Sequence, residues 1–85
     1  MKITKNTKYD CFNSETRVKL IICLEKEKSV TELLSMCHLS QSALSQHLKI
    51  LKDANILDCN RDGQKQIYQV KNIKVLEIAK LLLKL

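Results

Sequence analysis

The segment LSQSALSQHLKIL, residues 39–51, combines two patterns on one predicted helix. Leu44, Leu48 and Leu51 recur at spacings of four and three, which at about 100° per residue places them on one side. The opposite side carries uncharged polar residues and one lysine: Ser42, Ser45, Gln46 and Lys49. Solvent-facing helix positions are usually filled with glutamate and lysine. Hydroxyls and amides suit base edges and phosphates, so the pattern favours a DNA-contacting helix over residues 41–54 rather than an ordinary solvated face.

Capping signals set the boundaries of the neighbouring helices. A helix is predicted from Ser14, and the sequence SVTE forms a capping box in which Ser29 and Glu32 bond each other's backbone amides. Ser40 is placed to cap the polar-faced helix at its start. Asn55 follows that helix at the position where a left-handed residue is favoured. The order is therefore helix, short helix, turn and polar-faced helix.

A β-hairpin is predicted after this helix. The segments ILDCNR and QKQIYQV flank Asp62-Gly63, a dipeptide typical of two-residue hairpin turns. Arg61 and Lys65 lie near the tip, where they are placed to contact phosphates or a minor groove. Charged hairpin tips also occur for solubility alone.

The last helix, over residues 72–85, is apolar around too much of its circumference to pack on one small domain. We expect it to be buried against a second copy of the chain. The residues predicted at this dimer interface are Leu76, Ala79, Leu82 and Leu83. Residues 1–12 are expected to form an arm or short helix, and residues 13–85 one domain.

Composition narrows the function classes. A net charge of +6 and a pI near 9.3 suggest a polyanionic partner, nucleic acid or an anionic membrane surface. No secretory signal or apolar run of membrane-spanning length is visible, which predicts a cytoplasmic protein. No paired carboxylates, nucleophile–base set or glycine-rich phosphate loop is present. We therefore expect no enzyme activity and no cofactor.

The four cysteines lack CxxC spacing, and no metal site is predicted. In a cytosolic protein thiols stay reduced unless they bind metal or sense redox. Cys23 and Cys37 lie on apolar faces, which favours packing over sensing. Cys11, in the expected arm, and Cys59, in the hairpin beside Arg61, are better candidates for modification. Either could also be idle.

Together these elements predict a mainly α-helical fold with a small β-hairpin, a winged helix-turn-helix that dimerises through its last helix. A dimer would place two polar-faced helices in successive major grooves of a palindrome. The alternative is a winged helix used as a protein-interaction module without specific DNA readout. Membrane binding through residues 72–85 is a further possibility, although that helix lacks the broad polar face of an interfacial helix.

The sequence SVTELLSMCHLSQSALSQHLKILKDANIL followed by RDGQKQIYQV resembles the ArsR/SmtB family of winged-helix regulators. The similarity runs from about Phe12 to the C-terminus, with Arg17 at the family's usual arginine. LSQSALSQHLKIL is most similar to the HlyU/BigR redox-responsive branch. The resemblance implies a homodimeric bacterial transcription factor, usually a repressor. The operator contacts implied by the family are Gln41, Ser42, Ser45, Gln46 and His47, with the Arg61–Lys65 wing on flanking DNA. His47 lies beside the apolar side of its helix, so packing at the edge of the core is the alternative for this residue.

The sensor sites of the family are not matched. Ser29 and Thr31 stand where the family has a pair of metal-binding cysteines, and hydroxyls do not replace thiolates for soft metals. Residues 72–85 offer only Glu77 toward the family's other metal site. Cys23 lies close to the first cysteine of the redox branch, but no cysteine follows Cys59. The family's first dimerisation helix is expected to be reduced or missing. A cysteine-based switch among Cys11, Cys23 and Cys59 and a regulator without an inducer therefore both stay open.

Overall fold

The fold of residues 8–85 is described by a computed structural model. Residues 1–7 of the predicted arm or short helix, residues 1–12, lie outside the described residues. The elements, in chain order, are a 3₁₀-helix Lys8–Phe12, α1 Glu15–Cys23, β1 Lys28–Ser29, α2 Val30–Met36, α3 Gln41–Asp53, β2 Leu57–Asp62, β3 Lys65–Val70 and α4 Ile73–Leu83. The prediction of a mainly helical fold with a β-hairpin is confirmed.

A serine caps the start of each of the three helices α1, α2 and α3, and two of these serines, Ser29 and Ser40, are the predicted caps. The Ser14 side chain accepts from the Arg17 amide at the start of α1. Ser29 and Glu32 form both hydrogen bonds of the capping box, at 2.9 and 3.1 Å, and start α2. Ser40 accepts from the Ala43 amide at 3.1 Å and starts α3. Each cap satisfies an amide that has no partner within the helix.

The end of α3 also follows the prediction. Asn55 adopts a left-handed conformation, with φ of 64°. The Asn55 amide donates to the Lys52 carbonyl at 2.9 Å, and the Ile56 amide donates to the Leu51 carbonyl at 3.1 Å. This pair of bonds is the Schellman motif, which satisfies carbonyls at a helix C-terminus. Lys71 donates to the Asn55 side chain at 2.6 Å and holds that side chain in place.

The sheet has one strand more than the predicted hairpin. Its order is β1-β3-β2, with antiparallel pairing throughout. Asp62 pairs with Lys65, so the turn is Gly63-Gln64, one residue later than the predicted Asp62-Gly63. Gly63 has φ of +65° at the first loop position, as a type II′ turn requires. The two-residue strand β1 was missed because so short a segment has no detectable alternation.

The core lies where α1, α2 and α3 meet the sheet. The largest fully buried side chains are Leu20, Ile21, Leu24, Leu33, Leu44, Leu51 and Cys11. The apolar side of α3 predicted from its spacing is thus confirmed as buried. Tyr68 of β3 joins the same cluster beneath the hairpin.

Two of the residues predicted at the dimer interface lie inside the protomer. Leu76 and Ala79 are 6% and 0% exposed, on the side of α4 that packs on α1. They retain almost no surface for a second copy to cover, so this part of the interface prediction is corrected. Leu82 and Leu83 remain exposed, at 37% and 44%.

The exposed side of α4 carries an apolar stripe at spacings of three, one and three residues. It consists of Ile78, Leu81 and Leu82 of α4 and of Leu85, which follows the end of the helix by two residues. No helix among residues 8–85 is long and apolar enough to cross a membrane.

Candidate nucleic-acid interface

The polar face of α3 is fully at the surface. Ser42, Ser45, Gln46 and Lys49 are all exposed, while Leu44 and Leu48 beneath them are buried. Lys49 pairs with Asp53 one turn along the helix, with the Lys49 Nζ at 3.0 Å from the carboxylate. The three uncharged members therefore dominate the face. They present hydroxyl and amide groups that both donate and accept hydrogen bonds.

The hairpin brings Arg61 and Lys65 to the same side of the protein. A surface groove of about 300 Å³ has Gln41 of α3 on one wall and Arg61 and Lys65 of the hairpin on the other. Neither cation forms an ion pair with a carboxylate among residues 8–85. Three of the sequence-predicted contacts, Gln41, Arg61 and Lys65, thus border one polar groove.

A second groove, of about 400 Å³, continues along α3. Gln41, Ser45 and Lys49 line it from the helix, and Gln66 and Tyr68 line it from β3. Gln41 and Gln66 belong to both grooves, so the two join into one surface between α3 and the wing. We call this surface the wing groove. Lysine and arginine with neutral donors in a concave strip suit a nucleic-acid backbone.

The wing groove includes three residues outside the sequence-predicted contacts: Thr31, Lys52 and Gln66. The Tyr68 hydroxyl donates to the Gln66 Oε1 at 3.4 Å, which places that amide in the groove. Alternation along β3 does not identify Gln66 as a groove residue, because it shares a strand face with the buried Tyr68 and is nevertheless exposed. No sequence pattern predicts Thr31 in the wing groove, because its place there depends on the way the chain passes from β1 into α2.

His47 does not join the other predicted contacts. It is half-buried on the flank of α3, where its Nδ1 lies 3.2 Å from the Arg17 Nη1 of α1. Burial first, and the charge of Arg17 second, lower the pKa of His47 below its ordinary value. The ring is therefore neutral at pH 7 and is directed at α1.

Cys11 lies in the core rather than in an exposed arm. It is fully buried in the 3₁₀-helix, and this burial raises the pKa of its thiol to about 11, a rise that the Arg17 charge partly offsets. A buried thiol with a raised pKa is protonated at neutral pH and a poor nucleophile. The expectation that an exposed arm makes Cys11 open to modification is wrong for this reason.

The other three cysteines are half-buried free thiols. Cys23 and Cys37 line one cavity at the ends of α1 and α2, and burial, followed by the proximity of Cys23, raises the pKa of Cys37. Cys59 lies opposite Tyr68 in the hairpin. Burial, followed by a hydrogen bond with Cys59, raises the pKa of Tyr68. Residues 8–85 contain no group of three or more His, Cys, Asp or Glu side chains that could hold a metal ion.

Comparison with known proteins matches this arrangement to one family. The family model described as "Bacterial regulatory protein, arsR family" matches residues 14–58, more than half of the chain. The cadmium resistance transcriptional regulatory protein CadC of Listeria innocua is 31% identical over 75 residues. These residues cover 86% of this chain and 63% of CadC, so the chain spans less than two thirds of that relative's length.

Solved structures of named transcriptional regulators have the same fold as this chain. HlyU from Vibrio cholerae superposes with a TM-score of 0.79 at 33% identity, covering 87% of this chain and 82% of HlyU. The transcriptional repressor BigR from Xylella fastidiosa superposes with a TM-score of 0.80 at 26% identity, covering 88% and 78%.

This chain has a helix-turn-helix, a wing, and a polar groove between α3 and the wing. These features define the winged helix-turn-helix class. Within that class, the chain belongs to the arsR family of bacterial regulatory proteins. The resemblance to the HlyU/BigR-like branch is confirmed. Because the family consists of regulators, the prediction that the chain is not an enzyme is confirmed as well.

Proposed function

We propose that this chain is a sequence-specific DNA-binding transcriptional regulator that occupies a palindromic operator as a homodimer. The observation that carries the proposal is the polar face of α3 beside the wing groove. Its relatives are named as transcriptional regulators, and BigR is named as a repressor. Repression by occlusion of a promoter, in the bacterial cytoplasm, is the mode of action we infer.

Base recognition is assigned to the uncharged residues of α3. B-DNA's major groove is about 12 Å wide and admits one α-helix. Ser42, Ser45 and Gln46 are exposed together on the side of α3 away from the core. A glutamine amide pairs with the donor and acceptor of adenine, and serine hydroxyls pair with either kind of group. These side chains supply the discrimination between sequences.

Backbone contact is assigned to the wing groove. Arg61 and Lys65 face Gln41 across it. Cations that neutralise phosphates release counterions, so this part of the affinity falls steeply with salt and is the same for every sequence. Thr31 and Gln64 line the same groove and add neutral donors.

Dimerisation is assigned to the apolar stripe on α4. Ile78, Leu81, Leu82 and Leu85 form one exposed strip that a second copy would cover. The protomer measures 38 × 34 × 23 Å. Two such protomers side by side suit half-sites one helical turn of DNA apart, about 34 Å.

The experiment is fluorescence anisotropy of the reduced protein on DNA from upstream of its own gene, over a salt series. A scrambled duplex of equal length and composition is the control. We expect tighter binding to the native fragment by a factor of about 10³ or more, the lower bound for specific regulators. Equal, weak and steeply salt-dependent binding to both duplexes would contradict sequence-specific readout of that fragment and favour the protein-interaction module.

A further inference from the structure

Arg17 connects three parts of the fold through its side chain. Its Nε donates to the Asp10 carbonyl of the 3₁₀-helix at 3.0 Å, and an Nη2 hydrogen bonds the Asn13 side chain. Its Nη1 lies 3.2 Å from the His47 Nδ1 on α3. One side chain on α1 thereby joins the segment before α1 to the helix that carries the polar face.

The Arg17–His47 contact fixes the proton on the imidazole. A guanidinium stays protonated in proteins and has donors only, so the His47 Nδ1 must accept. The neutral ring then carries its proton on Nε2. Protonation of Nδ1 would remove the acceptor and set two cations against each other at 3.2 Å.

His47 lies away from the side of α3 assigned to bases. It follows Ser42 by five positions, which at 3.6 residues per turn is about 140° around the helix. Its flank also carries Ala43 and Ile50, and both are half-buried like His47 itself. The 3₁₀-helix packs on this same region, touching α1 and α3. The imidazole is therefore placed between protein elements.

We propose that Arg17 and His47 are positioning residues for α3: a neutral, Nε2-protonated His47 accepts from Arg17 and thereby sets the recognition helix against α1 and the 3₁₀-helix. This inference rests on the proposed function, because positioning α3 matters for DNA affinity. It removes His47 from the operator contacts that the family resemblance implies. It also makes the segment before α1 part of the support of the DNA-binding helix.

Two conservative substitutions of His47 separate positioning from DNA contact. His47→Asn places an amide oxygen near the position of Nδ1 and retains an acceptor for Arg17. His47→Gln extends its polar atoms toward the position of Nε2 and loses that acceptor. Positioning predicts that His47→Asn keeps affinity for the native fragment within about threefold. It predicts that His47→Gln weakens it about tenfold, because a hydrogen bond to a charged donor is lost.

Arg17→Met removes the donors and keeps an unbranched side chain. We expect at least the tenfold loss of His47→Gln, because the bonds of Arg17 to Asp10 and Asn13 are lost as well. Adding His47→Gln to Arg17→Met should cause no further loss, because the contact between the two residues is already absent. The slope of log affinity against log salt stays at the wild-type value, since no phosphate contact is lost. If Arg17→Met does not fold, the two His47 variants decide the question alone.

The tautomer is measured directly, without DNA, by long-range ¹H–¹⁵N NMR on the imidazole rings, with His38 as internal reference. We expect His47 in the Nε2-protonated form in the wild-type protein and a mixture of tautomers in Arg17→Met. A wild-type ring protonated on Nδ1, or a tautomer unchanged in Arg17→Met, would overturn the inference.

The DNA experiments can overturn it independently. Retention by His47→Gln with loss by His47→Asn would make Nε2 a DNA contact. A salt slope reduced by about one charge per protomer in Arg17→Met would make Arg17 a phosphate contact. A wild-type protein that binds no duplex specifically would refute the proposed function and the role in DNA affinity. The tautomer spectrum would still decide the Arg17–His47 contact itself.

Discussion

α3 and α4 are both amphipathic helices packed on α1 or its neighbours, yet their exposed sides have opposite chemistry. α3 exposes hydroxyls, amides and Lys49, whereas α4 exposes the apolar stripe. Uncharged polar side chains suit a partner that presents fixed donors and acceptors, and leucines suit a partner that presents more leucine. The exposed side of each helix therefore supports the partner proposed for it, DNA for α3 and a second copy for α4.

The largest expected effect comes from charging the apolar stripe. Leu81 is 63% exposed, so Leu81→Glu should leave the protomer folded and place a carboxylate at the proposed dimer interface. We expect a monomer at micromolar concentration by sedimentation velocity. Affinity for the operator should fall by about 100-fold or more, because the two half-sites are no longer bound together.

Ile73→Glu is the matched control for Leu81→Glu. Ile73 is 70% exposed on the same helix but lies outside the stripe. This variant should remain dimeric and bind DNA as the wild type does. Equal effects of the two substitutions would mean that the stripe is not the interface.

Substitution on the polar face should affect recognition and leave assembly intact. Gln46→Ala removes an exposed amide of α3, and we expect about a tenfold loss on the native fragment, the lower end of the cost of one base contact. Affinity for the scrambled duplex and the dimer mass should not change. A parallel loss on both duplexes would place Gln46 among the backbone contacts.

The end of α3 should contribute to stability rather than to recognition. Asn55→Ala places an ordinary residue at φ of 64° and removes the acceptor of Lys71. The free energy of unfolding should fall by about 1 kcal/mol, measured by urea denaturation at fixed protein concentration. The free energy of unfolding should fall by less in Asn55→Gly, because glycine tolerates this conformation. Both variants lose the Lys71 hydrogen bond, so their difference reports the backbone conformation alone, and a larger loss for glycine would contradict a strained φ as its cause.

The smallest expected effect is at Lys49. Its pairing with Asp53 at 3.0 Å already offsets part of its charge, so Lys49→Gln should weaken binding only severalfold, about equally on native and scrambled duplexes. The salt slope should fall by about one charge per protomer. An unchanged slope would mean that Lys49 stays with Asp53 in the complex.

Local sequence patterns were sufficient to predict α3 in detail. Leucine spacing, the Ser40 cap and Asn55 each act within a few residues, and all three were confirmed. The pairing of β1 with β3 was not predictable in this way, because Lys28 and Ser29 acquire their strand geometry only by contact with Tyr68 and Ile67. The one-residue shift of the hairpin turn follows from the pairing of β2 with β3, in which Asp62 lies opposite Lys65.

The orientation of α4 and the burial of Cys11 could not be predicted from the sequence either. Spacing shows that α4 is apolar nearly all round, but not which leucines turn toward α1. Leu76 was therefore assigned to the wrong side. Cys11 lies in a 3₁₀-helix, which gives no periodic pattern, and its burial depends on packing against α1 and α3. The Arg17–His47 contact joins residues thirty positions apart, so no local rule indicates it.

Ser29 has two structural roles at once. It is the last residue of β1, paired with Ile67 of the wing, and it is also the cap of α2. It is 5% exposed, and its backbone and hydroxyl bonds to Glu32 are both made. A movement of the wing away from the helices would therefore also break the hydrogen bonds between Ser29 and Glu32 at the first turn of α2. In the proposed dimer, adaptation to differently spaced half-sites would therefore take place between the two copies rather than between helix and wing.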